Sequence, residues 1–286
     1  MSTVERVGVV GTGQMGVGFA EVCARAGVDV VVAGSSHDSA ARGRKRLERS
    51  LERLVSKGKL AAEDSASALA RVTWSADLRD LADRQFVLEA VPEKLATKLV
   101  VFGVLDQVVA DRDAVLASNT SSLPIMKLGR ATGDPGRVVG VHFFNPVQVM
   151  PLVEVIASLG TSPGTVERTR AFLADVLGKQ VIAATDRAGF VVNSLLVPYL
   201  LSAVRMLESG VASAEDIDRG MTAGCGHPMG PLTLIDLIGL DTIAAVGEAM
   251  YEETKEPLHA PPALLLRLVE GGYLGRKSGR GFHVYE

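Results

Sequence analysis

A glycine-rich turn near the beginning of the chain places the strongest constraint on its fold. It follows the apolar run 6–10 directly, has the pattern G-x-G-x-x-G, and consists of Gly11, Thr12, Gly13, Gln14, Met15 and Gly16. The first glycine permits a tight turn, the second lets the backbone approach a pyrophosphate, and the third allows close helix–strand packing. A helix that begins there also presents amide donors and a favourable dipole to phosphates. The turn therefore predicts a dinucleotide site between a first strand and a first helix.

Strand-like apolar runs alternate with helical segments after this turn. The runs 28–33, 86–91 and 114–117 are short and apolar, and the segment 42–57 has an apolar stripe at helical spacing. Alternating strands and helices predict an α/β fold with a Rossmann-like, doubly wound and mainly parallel sheet. Ligands of such sheets lie at the carboxyl ends of the strands, and we expect the site at that edge.

The sequence pattern changes at the segment 185–189 (TDRAG). Beyond it, apolar residues recur at helical spacing and strand-like runs are almost absent; Ser213, followed three residues later by Asp216, is typical of a helix start. A chain of 286 residues is long enough for two domains. We therefore predict a dinucleotide-binding domain over 1–186 and an all-helical C-terminal domain over 187–286.

The charge balance argues against nucleic acid as a partner. The formal net charge is −3, so no overall basic field surrounds the chain, although the segment 42–59 has a local charge of +6. The longest charge-free run lies between Arg187 and Arg205 and contains Asn193 and Pro198. It falls short of a membrane span, and we expect a buried helix or a subunit interface there.

Cysteine and histidine usage indicates neither disulfides nor metal. Cys23 and Cys225 are the only two cysteines and form no CxxC pattern, which fits a reduced cytoplasmic compartment and argues against structural zinc. Glu5 and Arg6 directly precede the first apolar run, so we expect no secretory signal peptide. The histidines other than His142 do not cluster with acids at metal-ligand spacing, so we expect no metal; they are His37, His227, His259 and His283.

The end of the second strand leaves the choice of cofactor open. An NAD site usually has Asp or Glu about 20 residues after the glycines, where it binds the ribose 2′-hydroxyl. Here Gly34 occupies that position and is followed by Ser35 and Ser36. These hydroxyls, with Arg42 and Arg44 nearby, are suited to a 2′-phosphate, or the serines simply cap the next helix. The residues thus permit either NAD or NADP.

The segment 141–155 (VHFFNPVQVMPLVEV) carries the residues best suited to acid–base chemistry. It places His142 and Glu154 at two ends of an otherwise nearly uncharged stretch. A histidine exchanges a proton readily near neutral pH, and an acidic partner fixes its tautomer and stabilises the imidazolium. Reversible alcohol oxidation needs a hydride acceptor and a proton acceptor, so this pair complements the predicted dinucleotide site.

Motifs along nearly the whole chain resemble one family. They are the glycine turn GTGQMG, SNTSS at 118–122, HFFNP at 142–146, LVEV at 152–155, GFVVN at 189–193, HPMGP at 227–231 and GRKSGRGF at 275–282. In this order they resemble the L-3-hydroxyacyl-CoA dehydrogenase family. The resemblance implies a nicotinamide cofactor, NAD on family grounds, and a homodimer built through the C-terminal domain, which also closes over the acyl chain.

The resemblance implies roles for the residues closest to the reaction. His142 corresponds to the catalytic base and Glu154 to the acid that orients it. Ser121 corresponds to a serine that contacts the substrate near the nicotinamide, although composition alone permits any serine of SNTSS. Asn193 corresponds to an asparagine that bonds the reacting oxygen, or it bonds the turn before a helix. Asn145 resembles a cofactor contact, although the Asn-Pro pair alone indicates a turn.

The resemblance implies further contacts for which simpler explanations remain. Glu93 and Lys98 match cofactor contacts, or they form a solvated charge pair. Lys277 lies in a glycine-rich loop that either returns to the cofactor or is a flexible basic turn. Ser50 and Lys57 match contacts to coenzyme A, whose phosphates suit the basic segment, although amphipathic helices commonly display charge.

The expected function is that of a dehydrogenase for a short-chain (S)-3-hydroxyacyl-CoA, with this small molecule as substrate. One alternative keeps the fold and replaces the substrate by a carrier-protein-bound hydroxyacyl group or a free hydroxy acid. Another alternative is a non-catalytic nucleotide-binding structural or sensor protein. The combination of His142, Glu154, Ser121 and Asn193 favours the enzyme.

Overall fold

The computed structural model describes residues 4–285, and the outermost residues of the two predicted domains, 1–3 and 286, lie outside this range. The chain divides into two compact units, Met1–Asp186 and Arg187–Glu286. The structure describes the secondary structure of each unit, and the roles predicted for the two units stay predictions.

The first unit is built around a sheet. Its described strands are β1 Arg6–Val10, β2 Asp29–Ala33, β3 Val72–Ser75, β4 Phe86–Glu89, β5 Val115–Ser118, β6 Val138–Phe143, β7 Leu152–Ala157 and β8 Gln180–Thr185. They form an eight-stranded sheet with the order β3-β2-β1-β4-β5-β6-β7-β8 among the residues described. Parallel pairing joins the six strands from β3 to β6, which confirms the predicted mainly parallel sheet.

The strand order reverses beside β1. This strand pairs in parallel with β2 on one side and β4 on the other, so successive crossovers diverge from it. In doubly wound sheets this divergence opens a crevice at the carboxyl ends of the strands. The glycine turn leaves β1 at that crevice.

One neighbouring pair of strands is antiparallel. Strands β6 and β7 are joined by residues 144–151, and their register places His142 directly opposite Glu154. Both strands are almost wholly buried. The two residues that the sequence separates by twelve positions are therefore cross-strand neighbours, whose side chains leave the same face of the sheet.

Helices cover the sheet of the first unit. They are α1 Gln14–Arg25, α2 His37–Ser56, α3 Ala62–Ala70, α4 Leu95–Val108, α5 Ile125–Gly129 and α6 Pro163–Ala171, the last continued by a π-helical turn, Phe172–Val176. Phe19 of α1 packs against Phe86 and Phe143, with ring centroids 6.2 and 5.3 Å apart. This aliphatic and aromatic core fixes the start of α1 against the strands that carry the site residues.

The second unit is helical over the residues described, as predicted. Its helices are α7 Val192–Glu208, α8 Ala214–Cys225, α9 Pro231–Ile238, α10 Leu240–Thr254 and α11 Ala263–Glu270. Ser213 caps α8 by accepting a hydrogen bond from the amide of Asp216 at 3.1 Å, the predicted helix start. The predicted apolar run corresponds to α7, whose Leu200, Leu201 and Val204 lie in the core of this unit.

Carboxylates hold the C-terminal segment of the second unit in place. Asp236 accepts hydrogen bonds from the amides of Phe282 and His283 and from the hydroxyl of Tyr285, each at 2.9 Å. Asp218 bonds the ring of His283 at 2.9 Å. Between residues 4 and 285, no helix is both long enough and apolar enough to cross a membrane.

Candidate active site

The glycine turn has the shape that a dinucleotide requires. Gly11 has φ 117°, and a Cβ on it would lie 2.5 Å from the carbonyl oxygen of Ala90. A Cβ on Gly16 would lie 2.2 Å from the carbonyl oxygen of Gly11. Gly13, the residue before α1, has no atom within 4 Å of the corresponding position. The turn is thus packed on its inner side and open in front of the helix N-terminus, where a pyrophosphate fits.

The side chains of the turn connect it to its neighbours. Thr12 lies 2.7 Å from the hydroxyl of Ser39, and the carbonyl oxygen of Thr12 accepts a hydrogen bond from Arg46 at 2.6 Å. The Gln14 amide donates to the carbonyl oxygen of the Asn145 side chain at 2.8 Å. Met15 is half-buried at the start of α1. These contacts bring Asn145 to the glycine turn, where a cofactor contact was predicted.

The loop after β2 contains the residues predicted to bear on the 2′ position of the ribose. Gly34 follows the strand, and a Cβ there would lie 2.9 Å from the amide nitrogen of Ala40. Ser36 caps α2 by accepting a hydrogen bond from the Ser39 amide at 3.1 Å, while Ser35 is exposed. The capping interpretation thus holds for Ser36 and leaves Ser35 at the surface.

His142 lies between a carboxylate and a hydroxyl. Its Nδ1 is 2.7 Å from Oε2 of Glu154, and its Nε2 is 3.1 Å from Oγ of Ser121. Glu154 is fully buried and the His142 ring nearly so. When Nδ1–H donates to the carboxylate, Nε2 of the neutral ring keeps a lone pair that faces Ser121. The arrangement holds the imidazole in the tautomer that a proton acceptor needs.

The loop that follows β5 is attached to Glu93. The Glu93 carboxylate accepts hydrogen bonds from the hydroxyl of Thr120 at 2.5 Å and from the amide of Ser121 at 2.9 Å. Asn119 in the same loop accepts a hydrogen bond from the amide of Phe143 at 3.1 Å, which ties the loop to β6. The position of Ser121 relative to His142 is therefore determined by backbone as well as side-chain contacts.

Lys98 occupies a buried position. Its ammonium lies 2.7 and 2.9 Å from the two oxygens of Glu89 and 3.2 Å from Glu93, and only 1% of the side chain is exposed. The predicted solvated pair of Glu93 and Lys98 is thus a pair in which the acid is exposed and the lysine is not. The role of both as cofactor contacts stays a prediction, with Glu93 the more accessible of the two.

The remaining predicted residues lie away from this cluster or in the second unit. Ser50 is half-buried on α2, and Lys57 is exposed directly after that helix, which begins at His37 and not at Arg42. In the second unit, Asn193 is half-buried in the first turn of α7. Lys277 forms an ion pair with Asp241 at 2.5 Å.

Sequence reasoning missed Glu89, Asn119 and Thr120. Their hydrogen bonds join residues 24 to 29 positions apart, which no local pattern reveals. One signal was available for Glu89, because an acidic residue that ends an apolar buried strand requires a partner. The partner, Lys98, lies nine residues further along on α4.

Two of the other histidines lie next to hydroxyl groups. His227 lies 3.2 Å from the hydroxyl of Tyr199, and His259 lies 2.7 Å from the hydroxyl of Thr254. No group of three or more histidine, cysteine or acidic residues within 4–285 is arranged to hold a metal ion.

Comparisons with known proteins agree over both units. The family model described as "3-hydroxyacyl-CoA dehydrogenase, NAD binding domain" matches residues 6–187, and "3-hydroxyacyl-CoA dehydrogenase, C-terminal domain" matches residues 189–285. A 3-hydroxybutyryl-CoA dehydrogenase of Mycobacterium tuberculosis is 57% identical over 282 residues, covering 99% of both chains.

Two solved structures have the same fold at high identity. The crystal structure of FadB2 from Mycobacterium tuberculosis superimposes with a TM-score of 0.98 at 56% identity, covering 100% of both chains. That of the (S)-3-hydroxybutyryl-CoA dehydrogenase PaaH1 from Ralstonia eutropha has a TM-score of 0.95 at 44% identity, covering 99% of this chain and 100% of the other.

Proposed function

The chain belongs to the 3-hydroxyacyl-CoA dehydrogenase family of oxidoreductases, and from this premise we propose that it interconverts a short-chain (S)-3-hydroxyacyl-CoA and the 3-oxoacyl-CoA. The pair 3-hydroxybutyryl-CoA and acetoacetyl-CoA is the proposed substrate couple. The single observation that carries the proposal is the contact chain in which Glu154 bonds Nδ1 of His142 and Nε2 faces Ser121.

His142 is the proposed proton acceptor for alcohol oxidation. The C3–H bond of the substrate breaks as a hydride leaves, the O–H proton passes to Nε2 of His142, and the C3–O bond becomes a carbonyl. Glu154 accepts a hydrogen bond from Nδ1–H throughout and stabilises the imidazolium that forms. In the reverse direction the imidazolium returns the proton to the oxygen.

Ser121 and Asn193 are the proposed substrate contacts. The Ser121 hydroxyl is 3.1 Å from Nε2 of His142, so an oxygen bound at this position is within reach of both groups. Asn193 is proposed as a substrate contact on the basis of the GFVVN motif alone, and it is half-buried in the first turn of α7.

NAD is the proposed cofactor, and when bound it supplies the hydride acceptor. The open side of Gly13 and the N-terminus of α1 are proposed to hold its pyrophosphate, with Asn145, Glu93 and Ser35 as further contacts. Because Gly34 takes the place of the usual acid, no carboxylate at that position repels a 2′-phosphate, and NADPH is the matched comparison.

The basic segment on α2 is the proposed contact for the coenzyme A handle. Lys57 is exposed at the end of the helix, where a cation also interacts favourably with the helix dipole. Ser50 lies two turns earlier on the same helix. Contact with phosphates would raise affinity and leave the chemical step unchanged.

A homodimer is proposed through the second unit. Val191, Leu195 and Met206 follow one another at helical spacing and are 39%, 75% and 45% exposed. An exposed apolar stripe of this kind is typical of a subunit interface. We also propose a cytoplasmic location, which the two free thiols support.

The test is steady-state reduction of acetoacetyl-CoA with NADH and NADPH in parallel. Turnover with NADH is expected, and a His142→Gln variant should lose about 10²- to 10⁴-fold in kcat while it still binds cofactor. Absence of turnover with both cofactors, despite cofactor binding, would refute the proposal.

The coenzyme A contact is tested with Lys57→Ala. This variant should raise KM for acetoacetyl-CoA and leave KM for acetoacetyl-pantetheine unchanged, because the shorter thioester lacks the nucleotide phosphates. Lys59→Ala is the matched control, since it removes an exposed lysine two positions away. Equal KM values for all three proteins with acetoacetyl-CoA would remove Lys57 from the substrate site.

A further inference from the structure

We propose that Glu89 is a positioning residue for the reaction: it fixes the segment 118–121 so that the Ser121 hydroxyl faces His142. The inference rests on the proposed function, since Ser121 matters there as a substrate contact. Glu89 itself touches neither Ser121 nor His142 among the contacts of the structure, and it acts through Ser118, Lys98 and Glu93.

Glu89 is the centre of a buried hydrogen-bond network. It ends β4, is fully buried, and accepts bonds from the amide of Val91 at 2.7 Å and the hydroxyl of Ser118 at 2.6 Å. The ammonium of Lys98 adds bonds of 2.7 and 2.9 Å to its two oxygens. Both oxygens of the carboxylate are thus occupied by donors from three different segments, which a buried charge requires.

The network reaches the segment 118–121 at both ends. Ser118 is bonded by Glu89 directly. At the other end, Lys98 lies 3.2 Å from Glu93, and Glu93 holds the amide of Ser121 at 2.9 Å. Since Ser121 Oγ is 3.1 Å from His142 Nε2, a displacement of this segment changes the geometry at the proton acceptor.

The charges explain why a neutral residue at position 89 would not serve. Two carboxylates, Glu89 and Glu93, surround one buried ammonium. If residue 89 is neutral, Lys98 has Glu93 as its remaining anionic partner within this network. Glu93, whose side chain is 39% exposed, is then drawn towards Lys98 and away from the amide of Ser121.

Stability alone does not account for this arrangement. A buried ion pair contributes little net stability when compared with an apolar pair of the same size, because both ions lose their hydration. The face of the sheet that carries Glu89 is otherwise lined by aliphatic residues such as Val10 and Val87, which pack without this cost. The directional hydrogen bonds of the carboxylate can orient the segment 118–121, whereas an apolar pair could not.

The experiment is a double-mutant cycle on the full-length protein with acetoacetyl-CoA and NADH. Glu89→Gln should lower kcat about 10- to 100-fold, with KM for both substrates changed by less than about threefold. If Glu89 acts through Ser121, the double variant Glu89→Gln/Ser121→Ala should have the kcat of Ser121→Ala alone, within about twofold.

Glu21→Gln is the matched control. Glu21 is also a fully buried glutamate of the first unit, it bonds Gln148 at 2.9 Å, and it has no contact with this network. The control should lose thermal stability and keep its kcat within about twofold of the wild type.

Three results would overturn the inference while the wild type turns over. The first is an unchanged kcat in folded Glu89→Gln, and the second is a loss of kcat in Glu21→Gln as large as that in Glu89→Gln. The third is a loss of kcat in the double variant that equals the product of the losses in Glu89→Gln and Ser121→Ala. If Glu89→Gln does not fold, Ser118→Ala is tested in its place. This variant should lose less kcat than expected for Glu89→Gln, and Ser118→Ala/Ser121→Ala should have the kcat of Ser121→Ala alone. An unchanged kcat in Ser118→Ala overturns the inference. Absence of turnover by the wild type would refute the proposed function itself and is distinguishable from all of these.

Discussion

Replacing Glu154 by Gln isolates the electrostatic contribution of the buried carboxylate. Glu154 faces His142 across the antiparallel pair β6–β7, with 2.7 Å between Oε2 and Nδ1, and is fully buried. Glutamine has nearly the same shape as glutamate, and its side-chain oxygen can still accept a hydrogen bond from Nδ1–H. The substitution therefore removes the charge and leaves the packing of β7 in place.

The size of the effect follows from the charge that forms on the ring. Two unit charges about 4 Å apart attract each other by about 4 kcal/mol at an effective dielectric constant of about 20. The amide of glutamine recovers part of this through a neutral hydrogen bond worth about 1 kcal/mol, so we expect a net loss of about 2 to 4 kcal/mol. At about 1.4 kcal/mol for each factor of ten, kcat should fall about 30- to 1000-fold.

The assay follows the oxidation of (S)-3-hydroxybutyryl-CoA by NAD under saturating conditions, the direction in which the charge forms on the ring, with binding of NADH measured separately. Binding of NADH should be unchanged, because Glu154 lies behind the ring and not in the glycine turn. Glu21→Gln again controls for the loss of a buried carboxylate in the same unit. A folded Glu154→Gln variant with a wild-type kcat would refute the assignment of Glu154 as the stabiliser of the imidazolium.

Two further predictions concern titrating groups outside the site. Burial, and next the hydrogen bond to Asp236, raise the pKa of Tyr285 to about 12. The pKa of tyrosine in the unfolded chain is about 10, so the stability that the protonated hydroxyl contributes is complete below pH about 10 and is lost as the pH rises to about 12. In urea unfolding, the free-energy difference between the wild type and Tyr285→Phe should fall across that window. A constant difference would contradict the assignment. Burial raises the pKa of the Cys23 thiol, whereas Cys225 is exposed. A disulfide reagent should therefore label one thiol quickly in the native protein, and Cys225→Ser should abolish this phase; a remaining fast phase would show that Cys23 is accessible.

The sequence was most informative where local chemistry determines the backbone. The glycine turn correctly predicted β1, α1 and their connection, since Gly11 and Gly16 leave no room for a Cβ. It was least informative for β6 and β7, which were not predicted as strands. Both are buried on their two faces, so the alternation of polar and apolar residues that marks a half-buried strand is absent.

The end of β4 shows a similar limit. The apolar run suggested a strand over 86–91, whereas the strand ends at Glu89. The carboxylate of Glu89 accepts a hydrogen bond from the amide of Val91 and thereby turns the chain away from the sheet. Its other partners, Ser118 and Lys98, come from two different elements. The sequence shows that Glu89 and Lys98 are present, but their pairing depends on how α4 packs against the sheet.

The pairing of His142 with Glu154 depends on the direction of β7. Strand β6 runs towards the edge where the glycine turn lies, and because β7 is antiparallel it starts from that same edge. His142 is the second-last residue of β6 and Glu154 is the third residue of β7, so both remain close to the site. A shift of register by one residue would turn the Glu154 side chain to the opposite face. The buried Val141–Val155 pair, on the other face of the sheet, helps to fix this register.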